Sequence, residues 1–113
     1  MPHHIIPPAD VQFEDEFVAG LKNIFEEMIV FNRMLGLKIS DGTPTRVKAR
    51  IDMRNELVGH YAYHRIHGGV ISASLDALGG LAVMAAIGAR HMNETPQQRL
   101  QRFAKLGTID LRV

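Results

Sequence analysis

The chain contains no cysteine. That excludes disulfides, a thiolate nucleophile and any zinc site built on Cys ligands, and it suits a reducing, cytoplasmic setting. The chain also lacks an excess of charge of either sign: 13 Lys and Arg stand against 12 Asp and Glu, a formal net charge of +1. Nothing in that balance steers it towards nucleic acid or an anionic membrane surface. The amino terminus, MPHHIIPPAD, has no basic region followed by an apolar core, so it is not read as a signal peptide. Its prolines and paired histidines, His3 and His4, predict an irregular arm over 1–11. Internal repeats and low-complexity tracts are missing as well. What remains is 113 residues, 46% hydrophobic and 22% charged, read as one globular domain over 1–113. A domain of this size buries only about 60–70% of the surface its unfolded chain exposes, so a partner subunit would add to its stability.

Against those absences stands one long apolar run, 66–89, IHGGVISASLDALGGLAVMAAIGA, with a single formal charge at Asp76. Wound as a helix it is apolar on nearly every face, which predicts a central helix buried all round and wrapped by a sheet. Its length would also span a bilayer. Asp76 would then lie near the centre at a cost of about 2.5–3.5 kcal/mol, and no Trp or Tyr belt marks the carboxyl flank, so no membrane span is expected. The helix is predicted to begin near Gly69 or Val70 and to end near Arg90 or His91. Gly79 and Gly80 cost about 1 kcal/mol each relative to Ala. Such a cost is tolerable where another backbone or a ligand comes close. Ser72, Ala73, Gly79 and Gly80 lie one turn from Asp76 and set its carboxylate in a recess.

Residues 12–35 read as an amphipathic helix, with Phe17, Leu21, Ile24, Phe25, Met28, Phe31 and Leu35 on one face. Glu14, Asp15 and Glu16 fall in its first turn and Arg33 in its last, as the helix dipole favours, and Gly36 stops it. Residues 37–40 then form a short strand and Asp41-Gly42-Thr43-Pro44 a turn. From Thr45 onward Val47, Ala49, Ile51 and Met53 alternate with Arg46, Lys48, Arg50, Asp52 and Arg54, the mark of a strand with one wet face. Gly59 predicts a bend or bulge, while 61–66 is left open between extended chain and loop. Further on, Thr95, Pro96 and Gln98 spell a capping box with proline at the first helical position. Leu100, Phe103 and Ala104 give this short helix an apolar stripe, Arg99, Arg102 and Lys105 a wet face, and Gly107 its end. The last segment, 108–113, alternates Ile109, Leu111 and Val113 with Asp110 and Arg112 and reads as a strand. One hairpin and one short strand cannot enclose a helix buried on all sides. A second subunit that completes the sheet, or a longer chain of which this is a fragment, is therefore expected, the fragment foremost.

The chemistry centres on the helix start. His67-Gly68-Gly69 places free amides and a positive dipole end where a carbonyl can approach, so the Gly69 amide, with Gly68, forms a candidate oxyanion site. Asp76 lies two turns along the same helix, about 10 Å away, too far to act on that carbonyl within one subunit. A two-fold partner would bring its own Asp76 across, which predicts composite sites in a dimer. The reaction that fits is thioester or ester hydrolysis, with Asp76 as general base on water or as nucleophile. Against it stands an aspartate merely satisfied by Ser72 or nearby backbone, and the residues alone leave both open. His60, His64 and His67 have ligand-like spacing, with Asp76 as a conceivable fourth zinc ligand. No HExxH motif supports it, so no metal is expected, and His60 and His64 are read as polar residues near a pocket mouth.

The run His67-Gly68-Gly69-Val70-Ile71-Ser72-Ala73-Ser74-Leu75-Asp76 resembles the HGG motif and helical aspartate of PaaI-like hotdog-fold acyl-CoA thioesterases. The elements before it, and TIDLRV after it, follow that family's order, so the resemblance covers about 12–113. It implies an α+β hotdog fold: a curved antiparallel sheet around the 70–90 helix, truncated here after the strand that starts at 108. It also implies hydrolysis of an acyl-CoA or related thioester without a cofactor, in homodimers or homotetramers with active sites at the subunit interface. Carried across by position, Asp76 is the catalytic carboxylate and Gly69 the polarising amide. Substrate contacts fall to His67, Gly68, Ser72, Ala73, His60 and Asn55. Where the family often has Asn-Gly or Gly-Asn before the HGG, this chain has Gly59-His60 and His64-Arg65, so the amide side chain is missing or moved: either His60 or His64 replaces it, or that substrate contact is lost. The basic stripe at 46, 48, 50 and 54 reads as a solvated face. Contact with coenzyme A phosphates through that stripe, or through Arg90, Arg99 and Arg102, is the lesser alternative. The competing reading of the whole is a non-catalytic acyl-binding or assembly domain.

Overall fold

Helix α1, Asp15–Lys22, opens with Asp15 and Glu16 in its first turn and buries Phe17 and Leu21, one turn apart, as the periodicity predicts. In the computed structural model, which describes residues 10–108, 111 and 112, this helix does not run unbroken to 35. It widens into a π-helical segment, Asn23–Met28, in which the Ile29 amide reaches back to the Ile24 carbonyl at 2.9 Å. Ile29 itself is extended, and α2, Val30–Leu35, starts afresh. The wide turn leaves the Phe25 carbonyl without its usual helical donor, and the buried Asn32 side chain supplies one at 3.0 Å. The break also turns the face: Phe17, Leu21, Phe25 and Leu35 are buried, but Met28 and Phe31, expected beside them, are exposed. Of the arm expected over 1–11, residues 1–9 lie outside the described residues.

Gly36 ends α2 in the left-handed conformation, φ +78°, as a C-cap. The freed carbonyls of Leu35 and Met34 accept hydrogen bonds from the Arg54 guanidinium, the first at 2.8 Å. Arg54 was expected on the wet face of a strand; it serves instead as a helix cap brought in from a distant segment.

Strands β1, Lys38–Thr43, and β2, Arg46–Arg50, pair antiparallel. The turn between them is Pro44-Thr45, three residues beyond the start of the Asp-Gly element expected there, and Asp41 and Gly42 lie inside β1 opposite Lys48 and Val47. Proline has no N–H to give to a ladder and a φ already set for a turn, so the turn forms at Pro44. A bulge between Ile39 and Asp41 absorbs the extra residue. On β2 the alternation holds, with Val47 and Ala49 half-buried between exposed Arg46, Lys48 and Arg50. The Ile39 amide donates to Glu26 at 2.8 Å and Lys38 pairs with Glu26 and Glu27, docking β1 on the π segment.

A short 3-10 turn, Asn55–Leu57, leads into the second ribbon, β3 Val58–His60 with β4 Arg65–Ile66, whose register shifts at Gly59 as expected of a bulge. Helix α3, Gly68–Arg90, follows at once, within a residue or two of the predicted span. It packs on α2, on β2 and on α4, Pro96–Gln101. The main core joins Phe17, Leu21 and Phe25 to Ile39, Leu81 and Met84, and a smaller one joins Leu35, Leu57 and Val70. Gly88 lets α1 come close: a Cβ there would lie 2.4 Å from Phe17 Cζ. Helix α3 is long and apolar enough to cross a membrane, and its inner face, Val70, Leu81, Met84, Ala85 and Gly88, is a wall of the core. Burial all round is not what the structure shows. Ile71, Leu75 and Val83 are exposed, because β2 and the shorter helices pack on one side of the helix only.

The capping box of α4 is present, with the Gln98 amide donating to Thr95 at 3.1 Å and the Thr95 amide to Gln98 at 2.9 Å. Arg99, expected in water, is fully buried where α4 crosses α1. Its guanidinium donates to Glu14 and to the Met92 sulfur and sits 4.6 Å from the centre of the Phe17 ring. Arg102 is half-buried on Glu94 rather than free in water. Lys105 does face solvent, and so does Ala104, which leaves Leu100 and Phe103 to reach the core. Of the strand expected over 108–113, Ile109, Asp110 and Val113 lie outside the described residues, and Thr108 and Leu111 belong to no strand.

Candidate functional site

The β3–β4 ribbon delivers His67 to the mouth of α3. Its amide donates to the Leu57 carbonyl at 2.7 Å, and Gly59 is what lets it in: a Cβ on Gly59 would lie 2.6 Å from His67 Cα. His67 is the N-cap of α3, and its Nδ1 accepts from the Gly69 N–H at 2.7 Å. An accepting ring nitrogen carries no proton, so in the neutral ring the proton sits on Nε2. The amide expected to polarise a carbonyl thus already has an acceptor, supplied by the motif's own histidine. Gly68 beside it is exposed, and its Cβ position faces open space.

Asp76, two turns further along α3, is half-buried. Its Oδ1 accepts from the Thr108 hydroxyl. Thr108 is a partner the sequence reading missed, since only the folded chain brings two residues this far apart into contact; Ser72 does not take that role. The carboxylate opens on a cavity of about 630 Å³ with a mostly apolar wall that includes Phe25, Ile29, Val83 and Phe103. Gly79 borders this cavity and a Cβ on it would meet nothing within 4 Å, while Gly80 backs onto the Phe25 ring, 3.6 Å from such a Cβ. The glycine pair was expected to admit a close neighbour; one member admits a core ring and the other open volume. A second groove of about 320 Å³ runs along the uncovered side of α3 between Ile51, Ile66, Ile71 and Leu75.

The other expected site residues do not gather at Asp76. Asn55 begins the 3-10 turn, and His60 ends β3 in solvent. Ser72 is half-buried on α3. Ala73 packs against the Leu35, Leu57 and Val70 cluster, so its methyl group faces the core and not a ligand. None of Asn55, His60, His67, Gly68, Gly69, Ser72 or Ala73 borders the Asp76 cavity. Within one chain there are two half-sites, a glycine turn and a carboxylate, separated along α3 as the two-turn spacing requires. His60, His64 and His67 form no three-ligand cluster among the described residues. Two carboxylates outside the site are held below the usual range. For Glu14, burial raises the value, but the backbone hydrogen bond and Arg99 outweigh it. For Glu94, the hydrogen bond from Arg102 is the main cause.

An α+β arrangement of antiparallel ribbons against one long helix, with an HGG cap and a carboxylate two turns along, defines a protein of the hotdog class. No family model matches the chain. Over 83 residues, 74% of its length, it is 35% identical to the medium/long-chain acyl-CoA thioesterase YigI of Salmonella typhimurium. It is 34% identical over 83 residues to the protein of that name from Escherichia coli K12. The match takes in 54% of each, so the chain spans about half the length of these curated relatives. Among solved structures, a protein from Shewanella oneidensis related to the thioesterase superfamily superposes with a TM-score of 0.75 at 32% identity, over 88% of this chain and 67% of that one. The chain belongs to the hotdog-fold acyl-CoA thioesterase superfamily.

Proposed function

We propose that this chain hydrolyses acyl-CoA or a related thioester, in a cytoplasmic homo-oligomer whose active sites combine two subunits. The observation that carries the reading is the Asp76 carboxylate, half-buried at the edge of an apolar cavity of about 630 Å³. Such a volume suits an acyl chain, in keeping with the medium- and long-chain substrates in the names of the relatives. In the proposed reaction the amide of the partner's Gly69, with Gly68, receives the thioester carbonyl. Asp76 takes a proton from water as that water adds to the carbonyl carbon. The tetrahedral oxyanion stays on the amides. It then collapses with cleavage of the C–S bond, and the proton passes from Asp76 to the departing thiolate. The products are a carboxylic acid and a thiol. A single-chain site is disfavoured by the spacing of Gly69 and Asp76, about 10 Å along the helix.

One observation favours the non-catalytic alternative, an acyl-binding domain: a carboxylate oxygen of Asp76 is already engaged by Thr108. Thiol release from a panel of acyl-CoAs decides between them. Asp76→Asn keeps the size of the side chain and removes the base, and it should lower kcat roughly 100-fold or more. Equal rates in wild type and Asp76→Asn remove the residue from the mechanism. Binding of acyl-CoA without turnover in either protein establishes the binding domain.

A further inference from the structure

Both tyrosines of the chain, Tyr61 and Tyr63, lie in the four-residue turn 61–64 at the tip of the β3–β4 ribbon. They stand in solvent, 87% and 69% exposed. The hydrolytic steps above do not use them, and no core claims them. Each nonetheless lies against a neighbouring ring or cation. The His60 ring stacks on Tyr61 with centroids 6.0 Å apart and planes 17° from parallel, and it lies 5.1 Å from Tyr63. The Arg65 guanidinium covers Tyr63 at 5.2 Å. The result is a ladder, Tyr61, His60, Tyr63, Arg65, in which Tyr61 is the end member and the most open. A guanidinium stacked on a ring keeps its in-plane N–H groups directed outward, ready for an anion. No carboxylate occurs from 58 to 67 to compete for it. The tip also stands at the candidate site, since Arg65 precedes His67 by only two residues, at most about 7 Å of chain.

We infer that this tip is a stacking site for an adenine nucleotide, the adenosine 3′,5′-bisphosphate end of coenzyme A, with Tyr61 as the platform for the base and Arg65 as the phosphate partner. An open aromatic face beside a cation is what a base carrying phosphates recognises, and stacking is tolerant of the geometry around it. The identity of the carrier as coenzyme A rests on the proposed hydrolase activity; the stacking itself does not.

The chain has no tryptophan, so its tyrosine emission reports on Tyr61 and Tyr63 alone. Titration with adenosine 3′,5′-bisphosphate, corrected for its absorbance, should quench that emission to saturation, and calorimetry should give the same Kd. Tyr61→Phe keeps the ring and should bind as wild type does. Tyr61→Ala should weaken binding roughly tenfold, about 1.4 kcal/mol. Arg65→Gln should weaken it too and reduce its dependence on salt. In turnover, Tyr61→Ala should raise KM for an acyl-CoA so that its advantage over the matching acyl N-acetylcysteamine thioester, which has no nucleotide, shrinks by the same factor. Absence of saturable quenching, equal quenching by inorganic pyrophosphate, or identical affinities of wild type and Tyr61→Ala would overturn the inference. Should no thioester be hydrolysed while the bisphosphate still binds through Tyr61, the hydrolase reading fails and the stacking site stands.

Discussion

Arg99 shows how unevenly a charge pair can be shared between two residues. The arginine is fully buried and Glu14, its partner, keeps 40% of its side-chain surface in water. Removing the buried member deletes a desolvated charge together with some packing, whereas removing the exposed member strands a guanidinium in the core. Glu14→Ala should therefore cost about 3 kcal/mol, and Arg99→Met about 1 kcal/mol, read as shifts in urea-unfolding free energy. The double variant Glu14→Ala with Arg99→Met should recover most of the larger loss. If the arginine variant is the worse of the two, packing outweighs the stranded charge. No local pattern announces such a residue. Arg99 sits at helical spacing from Arg102, which suggests a wet stripe, and only the crossing of α4 over α1 puts it inside. Arg54 and Thr108 escaped prediction for the same reason, because their partners Leu35 and Asp76 are distant in sequence. Residues whose work is local were legible: Gly36 as a helix stop, Gly59 as a bulge, and Thr95 with Gln98 as a capping box.

At the scale of the element, α3 separates two kinds of glycine. Gly88 has Phe17 against it and Gly79 has nothing within 4 Å. Gly88→Ala gains helix propensity but pushes into a ring with no room to retreat, so a net loss of about 1 kcal/mol or more is expected. Gly79→Ala keeps the propensity gain, about 0.5–1 kcal/mol, which a thermal melt should register as a rise in Tm. It also narrows the Asp76 cavity, so the longest acyl chains should lose turnover first. Helix α4 carries a dependence on acid. Glu14 and Glu94 both titrate below their ordinary value of 4.5 in the folded chain. The stability they contribute is complete above that value and is lost as the pH falls through their lowered folded values. Urea midpoints measured between pH 7 and pH 2 should fall below about pH 4.5, and less in Glu94→Gln than in wild type. The hairpin is the complementary case: strand alternation on β2 is readable, but Asp41-Gly42 and Pro44 are competing turn signals within four residues. Proline's missing donor settled the position three residues on.

Seen whole, the molecule is one-sided. The β1–β2 hairpin and the short helices cover the inner face of α3 and leave Ile71, Leu75 and Val83 in solvent, with Met28, Val30, Phe31 and Met34 exposed on the α2 side. That imbalance is what the buried-all-round reading of α3 missed. The sequence shows how apolar a helix is and leaves open whether its own chain or another one covers it. If a second copy does so, as the composite site requires, sedimentation should show a dimer, and Leu75→Glu with Ile71→Glu should return it to monomer with turnover lost. A wild-type monomer with full turnover would refute the two-subunit site.

The imidazole resting on the Gly69 amide sets a threshold for whatever comes to that nitrogen. An incoming oxygen must evict a good acceptor before it can bind, so a neutral carbonyl, itself a modest acceptor, gains little from the exchange. An oxygen that has taken on negative charge gains much more. A plug of this kind tilts the turn away from resting ligands and towards fleeting anionic ones, which is the discrimination that catalysis asks of a binding group.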